Sequence, residues 1–255
     1  MNWIKILGLP ELASEHGKAL DELTGYVHLL MLILFIGWVG YFIMVLLKFN
    51  RKSNPKADYV GVKSHLNTYL EVGVAVVEGV LLIGFAIPLW AKAVDYFPTA
   101  ADNPIEVHIM AQQFAWNAHF AGPDGKWGKQ DIQFAAATNP FGLDPNDADA
   151  KDDVVCLKEE FLVPVNRHVI CKIGSMDVIH CFKLPAMRVT QDAVPGLSIP
   201  VHFKPTITNT YEIYCAQLCG NLHSGMKGSF KVVSQSEYDT WYAAKSKAGG
   251  GAGFE

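Results

Sequence analysis

The sequence predicts a two-helix transmembrane hairpin followed by an all-β domain, a sandwich or Greek-key barrel, and three observations predict it. Leu29 to Leu47 runs without a single charged residue, long enough for a membrane-spanning helix. Val72 to Ala91 is apolar apart from Glu78 and carries Pro88 near its far end, which reads as a second span. After residue 92 the long apolar runs give way to short strand-like pieces separated by Pro, Gly, Asn and Asp, the pattern of a β-sandwich or barrel.

Taken in order, residues 1–24 hold Glu11, Glu15, Asp21 and Glu22 and lack the compact apolar core behind a basic start that marks a cleaved signal. The anchor is therefore expected to stay. Between the spans, residues 48–69 carry Lys48, Arg51, Lys52, Lys56 and Lys63 against one acid, Asp58, and short basic loops stay on the cytoplasmic side. The N-terminus and everything beyond residue 92 are then expected outside. The formal net charge of -4 hides an asymmetry: from residue 93 onward there are 18 acidic and 13 basic residues. An acidic outer surface suits a basic protein partner and disfavours nucleic acid.

Candidate strands are Ile105 to Met110, Gln113 to Phe120, Glu160 to Val163, His168 to Ile173, Ile199 to Phe203, Thr210 to Tyr214 and Ser229 to Val233. Residues 121–153 form a less regular insertion that ends in Asp144, Asp147, Asp149, Asp152 and Asp153. These acids lack the ordered spacing of an EF-hand loop, so a solvated loop is expected. Residues 236–244 suit a short helix with Ser236 as N-cap, and Gly249 to Gly253 a flexible tail. Five cysteines cannot all pair. Cys156, Cys171 and Cys181 read as small buried hydrophobes, with a Cys156 to Cys171 bridge left open.

The chemistry lies in CAQLCGNLHSGM, which places Cys215, Cys219, His223 and Met226 within twelve residues. Two thiols alone fit a disulfide, a structural zinc pair or two buried thiols. Soft sulfur with imidazole selects copper or zinc, and the thioether favours copper. One thiolate with His and Met makes a single-copper electron-transfer site, whereas two thiolates four residues apart can bridge two ions. A distant ligand is expected as well. His180, in MDVIHCF, ranks above His168 and His202 because it closes an apolar segment before Leu184 and Pro185, which suggests a strand end.

The CAQLCGNLHSGM loop, MDVIHCFKLP followed by AMRVTQDAVPG, and the two spans closely resemble subunit II of cytochrome c oxidase, a heme-copper oxidase, over roughly residues 25–235. The resemblance implies a cupredoxin-like barrel holding a binuclear copper centre, CuA. By that resemblance Cys215 and Cys219 bridge both coppers, His180 and His223 bind one each, Met226 is a weak ligand and Gln217 offers its backbone carbonyl. The chain is then the subunit that accepts electrons from a c-type cytochrome and passes them to the hemes of subunit I. Oxygen is reduced to water there, coupled to proton pumping, and no residue of this chain does the oxygen chemistry. Other oxidase subunits and membrane lipid are the remaining partners. A bacterial plasma membrane is favoured over the mitochondrial inner membrane, with the CuA domain on the periplasmic face. No C-x-x-C-H motif attaches a heme. The domain division is 1–24, 25–92 for the hairpin, 93–235 for the CuA domain and 236–255 for the C-terminal segment.

Three departures from the family pattern carry information. Gln217 stands where the family usually has a Glu that helps bind magnesium at the subunit interface. A neutral amide binds a hard cation more weakly, which puts that magnesium ion in doubt. Phe114 stands where the family has the tryptophan that first receives electrons, with Trp116 as a substitute candidate or a plain core residue. Glu78 replaces a common proline in the second span. Glu71, in HLNTYLE after His65, resembles the mouth of the family's proton channel, and Glu78 two turns on extends that path or pairs with a basic residue of subunit I. Asp177 and Arg188 flank the copper motif and are candidates to orient His180 or to stabilise the interface. Competing functions are a membrane-tethered copper carrier, a quinol oxidase subunit, which lacks these ligands, and the CuA subunit of a nitric oxide reductase.

Overall fold

The computed structural model describes residues 3–56, 59–61 and 63–248. The expected glycine tail, and Asp58 of the basic loop, lie outside the described residues. The chain divides into two compact units, one built on residues up to Leu9 with Ala19–Asp95, the other on Pro10–Lys18 with the chain from Tyr96 onward.

In the first unit, a short helix α1 (Trp3–Leu7) precedes α2 (Gly17–Lys48), which contains the charge-free run and extends it at its N-terminal side. The second apolar run is not one uniform helix. It is α3 (Leu66–Gly79), a π-helical segment (Val80–Ala86) and α4 (Ile87–Asp95). Both helical stretches are long and apolar enough to cross a membrane, and the most apolar part of each is unburied within the chain, as expected where lipid or another subunit replaces water. Tyr26 of α2 meets Phe85 edge-on with ring centroids 6.4 Å apart.

The second unit is a sandwich of two five-stranded sheets. One has the order β3 (Val154–Leu157), β2 (Ala115–Phe120), β1 (Ile105–Gln112), β5 (Val169–Ser175), β8 (Ile199–Phe203). The other has the order β4 (Phe161–Pro164), β10 (Lys227–Val233), β9 (Asn209–Cys215), β6 (His180–Leu184), β7 (Val189–Ala193). β1 runs parallel to β5 and β10 parallel to β4; the other pairings are antiparallel. Period-2 alternation sends Val107, Ile109 and Ala111 of β1 into the core with Ile173, Phe182, Ile213 and Phe230.

Strands β3, β6 and β7 were not expected from the sequence. They are held by pairing with neighbouring strands, β3 with β2, and β6 with β7 and β9. His180 opens β6 rather than closing a strand. The strand expected from Gln113 starts at Ala115. The C-terminal helix α5 (Gln235–Ala248) is longer than expected, and its cap is Ser234, whose Oγ accepts from Glu237 N at 3.2 Å. Cys156 and Cys171 are both free and buried. They sit on β3 and β5 with two strands between, roughly 14 Å apart by strand spacing, which excludes the bridge.

Two further pieces close the unit. The insertion packs on the outer face of the first sheet through a polar cluster around Asp153, while Asp144, Asp147, Asp149 and Asp152 stay partly exposed, as expected of a solvated loop. Fully buried Asp153 accepts from His119 Nε2 at 2.6 Å and from Gly128 N at 2.9 Å, and Trp127 stacks on His108 at 3.9 Å. Residues Pro10–Lys18 form a strap on the sandwich. Ala13 N donates to Ala186 O and Ala13 O accepts from Thr206 N, both at 2.8 Å; Ser14 Oγ donates to Met187 O at 2.7 Å, and Glu15 pairs with Lys204 at 2.8 Å. A segment before the first span that bonds the domain after the second must lie on the same side of any membrane that both helices cross.

Candidate metal centre

β6 and β9 are antiparallel neighbours with Phe182 opposite Cys215, so the start of β6 and the end of β9 bring His180 beside Cys215. His180 Nδ1 lies 3.8 Å from Cys215 Sγ. The loop after β9 then folds back: Cys215 N donates to Met226 O at 3.3 Å, Ala216 N to Cys181 O at 3.0 Å, and Met226 N to His223 O at 3.1 Å. These bonds gather the second thiol, the second imidazole and the thioether. Cys215 and Cys219 Sγ are 3.7 Å apart, His223 Nδ1 is 3.6 Å from Cys219 Sγ, and Met226 Sδ is 3.7 Å from the same sulfur. The Gln217 carbonyl oxygen lies 3.1 Å from Cys215 Sγ, while the residue as a whole is exposed. His180 Nδ1 and the two Sγ atoms all lie within 4.8 Å of one another.

The surroundings fix the donors. His180 is fully buried, and its Nε2 bonds Asp177 Oδ1 at 2.8 Å. That bond puts the ring proton on Nε2 and leaves the Nδ1 lone pair facing the sulfurs. Asp177 also accepts from Gln113 N at 2.7 Å and Val178 N at 2.7 Å. Partial burial would raise its pKa, but the bonds from His180, Gln113 and Val178 outweigh it and hold the carboxyl below its usual range. Burial, then the hydrogen bond with Cys215, pushes the Cys219 thiol up to about 11, so a bound metal must displace that proton.

Gln113 was not singled out as part of this site from sequence, yet its side chain donates to the Cys219 carbonyl. Gly220 has φ +139°, and a Cβ there would meet Gln113 Nε2 at 2.8 Å and Phe114 Cζ at 3.0 Å. The half-buried Phe114 thus packs on the metal loop. Trp116 is buried, its ring 6.2 Å from His180 and 5.3 Å from Phe182. Both aromatics line a cleft of about 400 Å³ with Glu159, Glu160 and Glu212. Arg188 bonds the Pro185 and Pro10 carbonyls, so it fastens the strap, while Asp177 reaches His180. His168 and His202 lie outside the cluster of His180 with the two thiols. Glu71 and Glu78 are on the exposed surface of α3. The donors suit a soft, redox-active ion: two thiols, two imidazoles, a thioether and a carbonyl, braced by a buried strand pair.

Residues 105–233 match the family model described as cytochrome C oxidase subunit II, periplasmic domain. The alternative cytochrome c oxidase subunit 2 of Bradyrhizobium diazoefficiens is 31% identical over 86% of this chain and 75% of its own length. Cytochrome c oxidase subunit 2 of a Synechocystis species is 26% identical over 94% of this chain and 76% of that protein. Among solved structures, the periplasmic domain of cytochrome oxidase subunit II from Bradyrhizobium japonicum is 28% identical and covers 56% of this chain and 94% of that one, with a TM-score of 0.42. This chain belongs to the cytochrome c oxidase subunit II family and is a subunit of a heme-copper oxidase.

Proposed function

We propose that the chain is the electron-accepting subunit of a respiratory cytochrome c oxidase, holding a binuclear CuA centre that takes electrons from a c-type cytochrome and delivers them to the hemes of subunit I. There oxygen is reduced to water with proton pumping. The observation that carries this reading is the paired donor set: two sulfurs 3.7 Å apart, each faced by its own imidazole Nδ1. Cys215, Cys219, His180 and His223 would hold the copper, with Met226 and the Gln217 carbonyl as the weaker ligands. When bound, the copper pair supplies one-electron exchange. The protein's part is to hold its ligands still: Asp177 orients His180, the Met226 and Cys181 carbonyls pin the loop, and burial of Cys219 and Met226 keeps water off the sulfurs.

Trp116, set between the cleft lined by Glu159, Glu160, Glu212, Lys158 and Lys227 and the ring of His180, is the better placed of the two candidates to receive electrons, with Phe114 packing the loop beside it. Glu71 belongs to the proton path toward subunit I. The Gln217 amide is a poorer magnesium ligand than the family's carboxylate, so an interface magnesium ion is weakly held or lost. The basic loop between the spans and the strap on the sandwich support an outer, periplasmic domain in a bacterial plasma membrane.

The test is the paramagnetic resonance spectrum of the full chain in detergent after copper loading. One unpaired electron shared by two equivalent copper nuclei gives seven hyperfine lines, and a single copper gives four. Cys219→Ser should abolish the seven-line pattern. A four-line wild-type spectrum, or a Cys219→Ser spectrum identical to wild type, refutes the binuclear reading.

A further inference from the structure

Glu78 is one residue short of the middle of the apolar stretch Leu66–Lys92, 27 residues long. At 1.5 Å per residue it stands about 18 Å from Leu66 along the helix, which puts a carboxylate at the bilayer midplane, where an unpartnered charge is costly. The first span has no Lys or Arg between Lys18 and Lys48, and the second has none between Lys63 and Lys92. Among the described residues no hydrogen bond or ion pair reaches Glu78 from within the chain.

The wide segment decides which way Glu78 looks. In an uninterrupted α-helix Phe85, seven residues on, would share its face. The i→i+5 turns of Val80–Ala86 rotate less per residue and carry Phe85 off that face by about a quarter turn. Since Phe85 is the ring that meets Tyr26 of the first span, Glu78 is turned away from the side of that contact. Glu71, two turns back, lies on the same face as Glu78, and Ala75 between them gives a partner helix close approach.

Resting on the oxidase-subunit reading, we propose that Glu78 is a midplane assembly contact. It accepts from a cationic side chain, lysine, arginine or protonated histidine, on a transmembrane helix of the heme-bearing partner subunit. The partner is specified by chemistry: a donor in hydrocarbon that lipid cannot supply.

The test uses the complete oxidase, solubilised in mild detergent and captured through a tag on this chain, with the heme recovered per copper-loaded chain as the readout. Glu78→Ala should lower heme recovery about tenfold, the scale of one interhelical hydrogen bond lost in a membrane. Glu78→Gln, which still accepts a hydrogen bond, should keep most of it. The seven-line copper signal of Glu78→Ala should match wild type, separating a lost contact from a misfolded chain. Heme recovery equal to wild type in Glu78→Ala overturns the proposal, and if turnover falls in that intact complex a proton relay replaces it. A wild-type chain that brings down no heme protein refutes the oxidase-subunit reading itself, and this inference with it.

Discussion

Removing Asp177 tests whether the orientation of the His180 ring, and not the thiols alone, sets the metal site. Its carboxylate accepts from His180 Nε2 at 2.8 Å, Gln113 N at 2.7 Å and Val178 N at 2.7 Å, so it ties the ligand ring to the turn between β1 and β2. A charge-assisted bond of this kind is worth about 1.5–3 kcal/mol. The Asp177 side chain keeps 32% of its exposure, and solvent screening places the loss at the low end, about 1.5 kcal/mol, or roughly tenfold in copper affinity. Asp177→Ala should show that loss in a copper titration against a competing chelator, followed by the thiolate-to-copper absorption. Asp177→Asn should fall between, because one amide cannot accept from both His180 and Gln113 and leaves an N–H facing one of those donors. The reasoning fails if Asp177→Ala binds copper as tightly as wild type with an unchanged spectrum.

The core and the insertion offer two further checks. Phe230 is fully buried against Phe161, Phe203 and Tyr211, with centroids 5.8, 6.0 and 5.7 Å away. Phe230→Ala should cost about 3–5 kcal/mol in denaturant unfolding, and a loss under about 1 kcal/mol would mean that the two sheets are not packed through this ring. Burial, then repulsion from His119 and Lys172, pushes His108 down to about 3 from 6.5. A ring kept neutral in the fold takes up its proton on unfolding, so its contribution is complete above pH 6.5 and is lost as pH falls from 6.5 toward 3. Within that window the wild-type chain should lose up to about 1.4 kcal/mol more per pH unit than His108→Phe. Equal slopes would remove His108 from the account.

The four donors of the metal loop were legible because they are local: twelve residues carry two thiols, an imidazole and a thioether, and no fold is needed to see that they converge. The spans were legible for the same reason, since apolar length is a property of a run. His180 stood out by its apolar context, though its place at the start of β6 came only from pairing with β9. What holds the site was not legible. Gln113 reaches Asp177 and Cys219 from 64 and 106 residues away, and only the sandwich brings the turn after β1, the start of β6 and the end of β9 together. Of the five aspartates that end the insertion only Asp153 is buried, sealed against His119 34 residues away, a contact that composition does not signal. The same division covers β3, β6 and β7, which exist because neighbours supply their hydrogen bonds.

By itself, then, the sequence determined which side chains make up the soft donor set and which two runs are long and apolar enough to cross a membrane, since donor chemistry and hydrophobic length act within a few turns of chain. Only the tertiary structure decided which nitrogen of His180 faces the thiols, what braces the loop, and which way Glu78 points. Each of those depends on a partner distant in sequence, or on a change of helical pitch that residue types alone do not specify.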